Sequence, residues 1–280
     1  MNRPNAPSPT DAAPRPRSFG ETNAVVTGAS SGIGRAIAIE LASAGVAEMM
    51  LSYHRNEAGA AETAEAIRQL GCKPWLCQAD LADDADVDRL ADRAFESLGG
   101  IQTWVNNAGL DVLTGEAARW SFQMKLEKLL RVDLVGTARL SRRVVARLRE
   151  QSSARPPSLV FIGWDQAPLG MEGDAGQMFG PVKAAVMALA ASLAQDVAPN
   201  VRVNTVAPGW IRTSWGQVTS EYWDERAKAQ SLMNRWGTPQ DVAAAVRFVA
   251  DPDATFVTGQ TIAINGGWSR RGHGKPPKPN

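Results

Sequence analysis

Short apolar segments alternate along this chain with amphipathic ones. The apolar segments predict strands at 23–28, 47–53, 73–78, 101–107, 158–163, 201–208 and 260–266. The first six are mostly apolar without clean alternation, which is typical of strands covered on both faces. The amphipathic segments predict helices at 33–44, 57–70, 84–98, about 124–150, 181–197 and 239–250. Pro181 suits the first turn of the helix predicted at 181–197.

This alternation predicts an α/β fold, because repeated strand–helix units form right-handed crossovers and a parallel sheet. No Pro/Gly-rich linker interrupts 21–268, which we interpret as one domain. The Pro/Arg-rich segment 1–20 and the basic segment 269–280 are expected to be disordered tails. Ligands of such sheets bind beyond the carboxyl ends of the strands, so the loops there are the candidate sites.

Composition narrows the class of protein. The net charge of +1 indicates no preference for nucleic acid or membrane surfaces, and we see no segment of about 18 apolar residues. Cys72 and Cys77 fit neither a zinc site nor a disulfide framework, and no metal site is expected. Cys77 is interpreted as a core thiol. The segment 1–20 lacks an apolar signal region, so a cytoplasmic protein is expected.

The loop after the first strand carries the first chemical signal. "TGASSGIGRAIA", residues 27–38, places Gly28, Gly32 and Gly34 between a strand and a helix. Glycines let the backbone turn tightly and approach a pyrophosphate, and the helix N-terminus offers free N–H groups to it. The loop predicts a dinucleotide site.

Further motifs follow in order: "NNAG" at 106–109, "QADLAD" around Asp80, "RVNTVAPGWIRT" and "VTGQTIAINGG". With these, residues 22–268 resemble a single-domain short-chain dehydrogenase/reductase. The resemblance implies a Rossmann fold, a doubly wound sheet of seven parallel strands with helices on both faces. It also implies a small-molecule substrate and a homo-oligomer, dimer or tetramer, formed through the helices at about 124–150 and 181–197. The cofactor-binding residues it implies are Gly28, Ser30, Ser31, Gly32, Ile33, Gly34, Asp80, Leu81, Asn107, Ala108, Gly109, Lys183, Pro208, Gly209, Ile211 and Thr213.

The end of the second strand favours NADP(H) over NAD(H). NAD-preferring relatives carry an acidic residue there, whereas this chain has Tyr53, His54 and Arg55. A guanidinium without a nearby carboxylate suits a 2′-phosphate. The alternative is a solvated Arg55 in a surface turn.

The catalytic group of the family is Asn, Ser, Tyr and Lys, and only the Lys is matched, by Lys183. Phe179 stands at the Tyr position, four residues before Lys183, and Asp133 at the Asn position. The Ser position falls among Gly163, Trp164 and Asp165. Enoyl reductases of the superfamily place their Tyr seven residues before the Lys, where this chain has Gly176.

Asp165 is the candidate replacement acid. Pteridine reductases of the family carry Asp near the Ser position, and "IGWDQA" resembles that arrangement with a spacing about one residue longer. They reduce cyclic C=N bonds, whose nitrogen is more basic than a ketone oxygen. A buried carboxyl beside Phe179 and Trp164, or water held by it, could protonate such a nitrogen. The alternative is a turn or helix cap.

The segment 209–240, which covers the substrate in the family, is rich in aromatic residues: Trp210, Trp215, Tyr222, Trp223 and Trp236. Indoles suit a flat conjugated substrate, although packing or a subunit interface explains any single one. Tyr222 is the candidate phenol if one replaces the missing Tyr. We therefore expect an atypical NADP(H)-dependent reductase of a C=N or conjugated substrate, with Lys183, Asp165, Asp133 and Tyr222 as catalytic candidates. The alternatives are a noncatalytic dinucleotide-binding protein, and a carbonyl reductase that uses Tyr222 or Lys183 as acid.

Overall fold

The computed structural model describes residues 19–217 and 219–268, so the predicted tails fall almost entirely outside the described residues. Phe19 belongs to the predicted tail, but its side chain is buried in the core, so that tail ends earlier than expected. The described residues form one sheet of seven parallel strands in the order β3-β2-β1-β4-β5-β6-β7. The strands are β1 Asn23–Val26, β2 Glu48–Tyr53, β3 Lys73–Gln78, β4 Thr103–Asn106, β5 Ser158–Ile162, β6 Arg202–Pro208 and β7 Thr261–Ile264.

The strands agree with the predicted segments to within a few residues, and the doubly wound fold is confirmed. Nine α-helices are described: α1 Gly32–Ala44, α2 Glu57–Gln69, α3 Asp84–Leu98, α4 Phe122–Leu129, α5 Thr137–Glu150, α6 Gly173–Val197, α7 Ser214–Gln217, α8 Glu221–Gln230 and α9 Pro239–Ala250. Helices α3, α5 and α6 cover one face of the sheet, and α1, α2 and α9 cover the other. Side chains alternate between these layers: Val25 packs with the first group, and Ala24 and Val26 with the second. Cys72 and Cys77 are both buried.

The order of the strands reverses between β1 and β4, which are neighbours in the sheet but far apart in sequence. The chain winds from β1 outward to β3 and then returns to β4. The loops that follow β1 and β4 therefore lie side by side at the carboxyl edge. This is the switch point at which doubly wound sheets bind ligands.

The helix predicted at about 124–150 is interrupted. A π-helical segment, Leu130–Gly136, separates α4 from α5. Gly136 lies so close to the loop after β3 that an added Cβ would collide with the carbonyl oxygen of Leu81. Single π-helical turns are frequent at functional sites, and this one carries Asp133.

The prediction that α6 begins at Pro181 was wrong. The helix begins at Gly173, and Pro181 lies inside it. A proline within a helix removes one backbone hydrogen bond, but Met178 and Val182 on either side are buried in a small cluster with Val112 and Leu129. Among the described helices, α6 is the one that is long and apolar enough by composition to cross a membrane. Buried residues along it, such as Val186 and Ala190, pack in the core of the sheet.

Candidate active site

The loop between β1 and α1 is shaped by close backbone contacts. Gly28 has a φ of +65°, and an added Cβ would lie 2.8 Å from the Cα of Ala108. A Cβ on Gly34 would lie 2.5 Å from Nδ2 of Asn107 and would collide with the carbonyl oxygen of Gly28. Packing within the protein is thus enough to require glycine at these two positions.

The loop after β4 is bonded directly to the loop after β1. Asn107 Nδ2 donates to the carbonyl oxygens of Thr27 at 2.9 Å and Gly28 at 3.1 Å. The backbone N–H groups of Asn107 and Ala108 donate to Oγ1 of Thr27 at 3.0 and 2.9 Å. These bonds hold the "NNAG" segment against the glycine loop and form one rigid floor.

The N-terminus of α1 is suited to an anionic ligand. Ser31 is the N-cap, and its side chain makes no capping hydrogen bond. The first N–H groups of a helix lack partners within the helix and carry a partial positive charge. Gly32, with a φ of +55°, begins the helix without a side chain in the way. These residues fit the pyrophosphate of a nicotinamide dinucleotide.

The residues predicted at the adenine end lie beyond β2 and β3. His54 Nε2 lies 3.4 Å from Oδ2 of Asp80, and Arg55 is exposed. Tyr53 is 8% exposed, and the side chain of Leu81 is buried in the core. Leu81 therefore offers a ligand little surface.

A cavity of about 640 Å³ opens above the switch point. Eleven predicted site residues line it, from the glycine loop, the loop after β4, the π segment, α6 and the loop after β6. They are Ser31, Gly32, Ile33, Asn107, Gly109, Asp133, Lys183, Pro208, Gly209, Ile211 and Thr213. Aromatic rings form much of the remaining wall: Trp164, Phe179, Trp210, Trp223 and Trp236.

Lys183 and Asp133 form an ion pair in the wall of the cavity. Lys183 Nζ lies 3.1 Å from Oδ2 of Asp133, and the two side chains are 15% and 2% exposed. Oδ1 of Asp133 accepts from the backbone N–H of Leu110 at 2.8 Å. A Cβ on Gly109 would lie 2.9 Å from Oδ2, so this glycine leaves room for the carboxylate. The pair ties α6 to the π segment and to the loop after β4.

Asp165 lies outside the cavity wall. Its Oδ2 accepts from Nδ2 of Asn265 at 2.9 Å, and its backbone N–H donates to the carbonyl oxygen of Pro208 at 3.1 Å. A Cβ on Gly209 would lie 3.1 Å from the same Oδ2. The carboxyl group thus lies beneath the loop after β6, and its burial raises its pKa above the ordinary value.

Helix α8 lies in the segment 209–240, which covers the substrate in the family, and we call it the lid helix. A buried arginine connects it to the start of α6. Arg226 donates to both carboxylate oxygens of Glu172, at 2.7 and 2.9 Å. Its guanidinium lies 5.1 Å from the ring centroid of Trp223 and 5.9 Å from that of Trp210. Tyr222 packs edge-on against Trp223 and is not among the described residues that line the cavity. The side chain of Trp215 lies outside what the structure describes.

Known proteins share this arrangement along nearly the whole chain. The family model described as Enoyl-(acyl carrier protein) reductase matches residues 28–269. The chain belongs to the short-chain dehydrogenase/reductase family. It is 32% identical over 248 residues to a 3-oxoacyl-(acyl-carrier-protein) reductase of Aquifex aeolicus, covering 87% of this chain and 95% of that protein. It is also 32% identical over 246 residues to 3beta-hydroxysteroid dehydrogenase 1 of Eggerthella lenta, covering 87% and 92%.

A solved short-chain dehydrogenase from Burkholderia cenocepacia, in complex with NADP, has the same fold. The TM-score is 0.78 at 29% identity, covering 89% of this chain and 98% of that one. Relatives of this short-chain dehydrogenase/reductase are thus oxidoreductases, and a nicotinamide dinucleotide is the cofactor of the family. The glycine loop, with the free N–H groups at the N-terminus of α1, and the cavity beside it fit that cofactor.

Two catalytic predictions do not fit the placement of their residues. Asp165 was expected to face the substrate, but its carboxyl group points toward Asn265 beneath the loop after β6. Tyr222 was expected to offer its phenol to the substrate, but its ring lies against Trp223 outside the wall. Gly176 cannot carry the Tyr of enoyl reductases, since a Cβ there would collide with the carbonyl oxygen of Met171.

Sequence reasoning missed seven residues of the wall: Leu110, Asp111, Leu113, Ile162, Met171, Ala175 and Ser214. The first two directly follow the "NNAG" motif, so their position beside a known loop was the available signal. Met171 and Ala175 lie just before and within the first turn of α6. Neither was predicted as a site residue, because Pro181 was interpreted as the start of that helix.

Proposed function

We propose that this protein is an NADP(H)-dependent reductase of a flat C=N or conjugated substrate, pteridine-like or imine-like, that works without a Tyr acid. The proposal depends on the wall of the cavity beside Lys183. There, Phe179 and Trp164 present aromatic rings at the places where the family resemblance puts a Tyr and a Ser. Bound NADPH would supply a hydride from its nicotinamide ring.

The protonation chemistry explains why the rings favour this substrate class. A ketone becomes an alkoxide, so its reduction needs a donor, and general acids contribute about 10²–10⁴-fold. The hydroxyl groups among the described lining residues belong to Ser31, Thr213 and Ser214, in the cofactor loop and after β6. A basic imine nitrogen takes its proton from water before the hydride arrives. A planar substrate also fits between indole and phenyl rings.

Preference for NADP(H) over NAD(H) belongs to the same proposal. Arg55 is exposed directly after β2, where a guanidinium can meet a 2′-phosphate. Tyr53 replaces the acid that would accept from a ribose hydroxyl, and it is buried. Lys183, paired with Asp133, would bind the nicotinamide ribose. We propose a cytoplasmic enzyme of this kind.

Carbonyl reduction is the second candidate, because the relatives named above include a 3-oxoacyl reductase and a hydroxysteroid dehydrogenase. Lys183 would then be the acid, since it faces the cavity. A noncatalytic dinucleotide-binding protein is the third. The three candidate functions predict different results with a cyclic imine and a ketone.

The deciding experiment follows the oxidation of NADPH and of NADH with a cyclic imine and with a ketone of the same ring skeleton. We expect reduction of the imine with NADPH, slower reduction with NADH, and background rates with the ketone. Phe179→Tyr is expected to bring weak ketone reduction and to leave imine reduction similar or lower, because the new phenol lies one helical turn from Lys183. Phe179→Leu is the control that removes the ring without adding a hydroxyl.

Ketone reduction by the wild type would replace the proposal with the second candidate. Cofactor binding in calorimetry, without turnover of either compound, would replace it with the third.

A further inference from the structure

We propose that the substrate is a cation: the cavity binds a flat iminium ion, and its permanent positive charge removes the need for any proton donor. This inference rests on the proposed C=N reduction and narrows it. A neutral imine must be protonated before or during hydride transfer, whereas an iminium ion is already activated. The charges and rings of the wall distinguish the two.

The charged groups of the wall leave an excess of negative charge. Among the described lining residues, the ionisable ones are Lys183, Asp133 and Asp111. Lys183 and Asp133 neutralise each other at 3.1 Å. Asp111 lies exposed at the mouth, with Oδ1 accepting from the backbone N–H groups of Leu113 at 2.8 Å and Thr114 at 3.1 Å. Its charge is available to attract a cation toward the opening.

The aromatic wall is the stronger part of the argument. Trp164 and Phe179 both line the cavity, and the indole of Trp164 lies near Gly180, the residue after Phe179: a Cβ there would be in ordinary van der Waals contact with Cζ3, at 3.9 Å. The negative face of an aromatic ring attracts cations, and Trp does so best. A flat cation can lie against the face of such a ring.

Rings of the same wall already hold cations. Arg226 lies over Trp223 and Trp210, and Arg212 lies 5.5 Å from the centroid of Trp236. Arg226 is balanced by Glu172 at 2.7 Å, whereas Arg212 shares Asp224, at 2.8 Å, with Lys228. Arg226 therefore adds no unbalanced positive charge, and Arg212 is not among the described residues that line the cavity.

The reaction balances without a proton. The hydride adds to the iminium carbon, the π electron pair of the C=N bond moves to nitrogen, and NADPH is oxidised to NADP⁺. The product is a neutral amine, and no oxyanion forms at any stage. An acidic Tyr and an oxyanion-binding Ser would have no task, which accounts for Phe179 and Trp164 together. The product also loses the charge that held the substrate, so its release is favoured.

Binding is tested first without cofactor, so that no hydride is transferred and no nicotinamide charge repels the cation. N-methylisoquinolinium and its neutral isostere methylnaphthalene are titrated by calorimetry and by quenching of Trp fluorescence. We expect the cation to bind at least about tenfold tighter, the size of one desolvated cation–π contact. Trp164→Leu should remove most of this preference. Trp75→Leu is the matched control, because that indole stacks under Lys73 on the edge strand β3.

Turnover is tested with NADPH and three compounds of one skeleton: N-methyl-dihydroisoquinolinium, neutral dihydroisoquinoline at alkaline pH, and tetralone, each against a blank without enzyme. A kcat/KM at least about tenfold higher for the cation supports the inference. Preference for the neutral imine would overturn the inference and leave the proposed function standing. Reduction of the ketone alone would overturn the proposed function itself. Equal affinity for the two binding probes would overturn the inference whatever the turnover.

Discussion

At the scale of single residues, Asp165 is a carboxyl group in a place that disfavours its ionisation. It is 8% exposed, and Oδ1 has no hydrogen-bond partner among the described residues. Burial raises its pKa above the ordinary 3.8, against the lowering effect of the bond from Asn265. The folded protein therefore binds this proton more tightly than the unfolded chain does. Stability from this group is greatest below pH 3.8 and falls as pH rises toward the raised folded pKa.

We predict that Asp165→Asn makes the protein more stable than the wild type at neutral pH. This gain in stability should become smaller below the ordinary carboxyl pKa. An amide keeps the shape and can accept from Asn265, but it carries no charge to bury. The melting temperature should rise by about 2–4 °C for each kcal/mol of burial cost removed. Melting curves of both proteins across that pH range test this. A difference independent of pH would contradict it.

The same variant decides whether Asp165 is a catalytic acid. Because the carboxyl group lies beneath the loop after β6, imine reduction should stay within about threefold of the wild type. A loss of about 10²-fold, typical of a removed general acid, would restore the role that the sequence suggested.

Residue identity predicted the geometry of the glycine loop better than the placement of the catalytic candidates. Gly28 and Gly34 lie after β1, and Asn107 lies after β4. The backbone geometry there depends on their own side chains, or on the lack of them, so the motifs predict the local structure. Asp165 and Asp133 have the same side chain and opposite placements. Asp133 meets Lys183 in the cavity, and Asp165 meets Asn265 outside it. Such partners come from distant elements, which no local pattern reveals.

At the scale of elements, the strands were predictable and two helices were not. Strands buried on both faces leave continuous apolar runs, but a π-helical turn differs from an α-helix by one residue and leaves no comparable signal. Gly136, at the end of the π segment, packs closely against the backbone of Leu81. Proline is common in the first turn of a helix. Here α6 continues through Pro181, and Met178 and Val182 on either side of it are buried.

The junction between α8 and the start of α6 gives the prediction at this scale. Arg226 is buried and bonds to Glu172 through two hydrogen bonds, so the pair fastens the lid over the cavity. Glu172→Gln should raise the substrate KM by roughly 5–30-fold. This corresponds to about 1–2 kcal/mol, less than for a fully buried pair because Glu172 is partly exposed. Steady-state kinetics and chymotryptic cleavage within α8 measure the effect.

Lys228→Gln is the matched control, because Lys228 pairs with Asp224 within α8 itself and does not cross to α6. It should leave both KM and cleavage unchanged. In the double variant Glu172→Gln, Arg226→Met, the two losses should not add, since both remove one interaction. Additive losses would mean that Arg226 holds the lid by stacking on Trp223 alone.

At the scale of the whole molecule, α4, the π segment and α6 expose more apolar surface than is usual for a protein that stays monomeric. Only 33% of the most apolar window of α6 is buried. Helix α4, which packs against α6, and the adjoining π segment expose Phe122, Met124, Leu130 and Val135, each by 37–44%. Adjacent apolar residues of this kind mark an interaction surface more often than they face water. We expect a second copy of this chain to cover both helices, as the family resemblance implies.

We predict that the wild type is a homo-oligomer and that Val135→Asp shifts it toward the monomer. In a two-fold interface each substitution occurs twice on one self-complementary surface, so a single Asp introduces two charges into an apolar contact. Val135 is 44% exposed, and the change should leave the subunit folded. Leu70→Asp is the control, because Leu70 is 43% exposed at the end of α2, on the opposite face of the sheet. Sedimentation velocity measures the mass of each protein. A monomeric wild type, or an equal shift in both variants, would contradict the prediction.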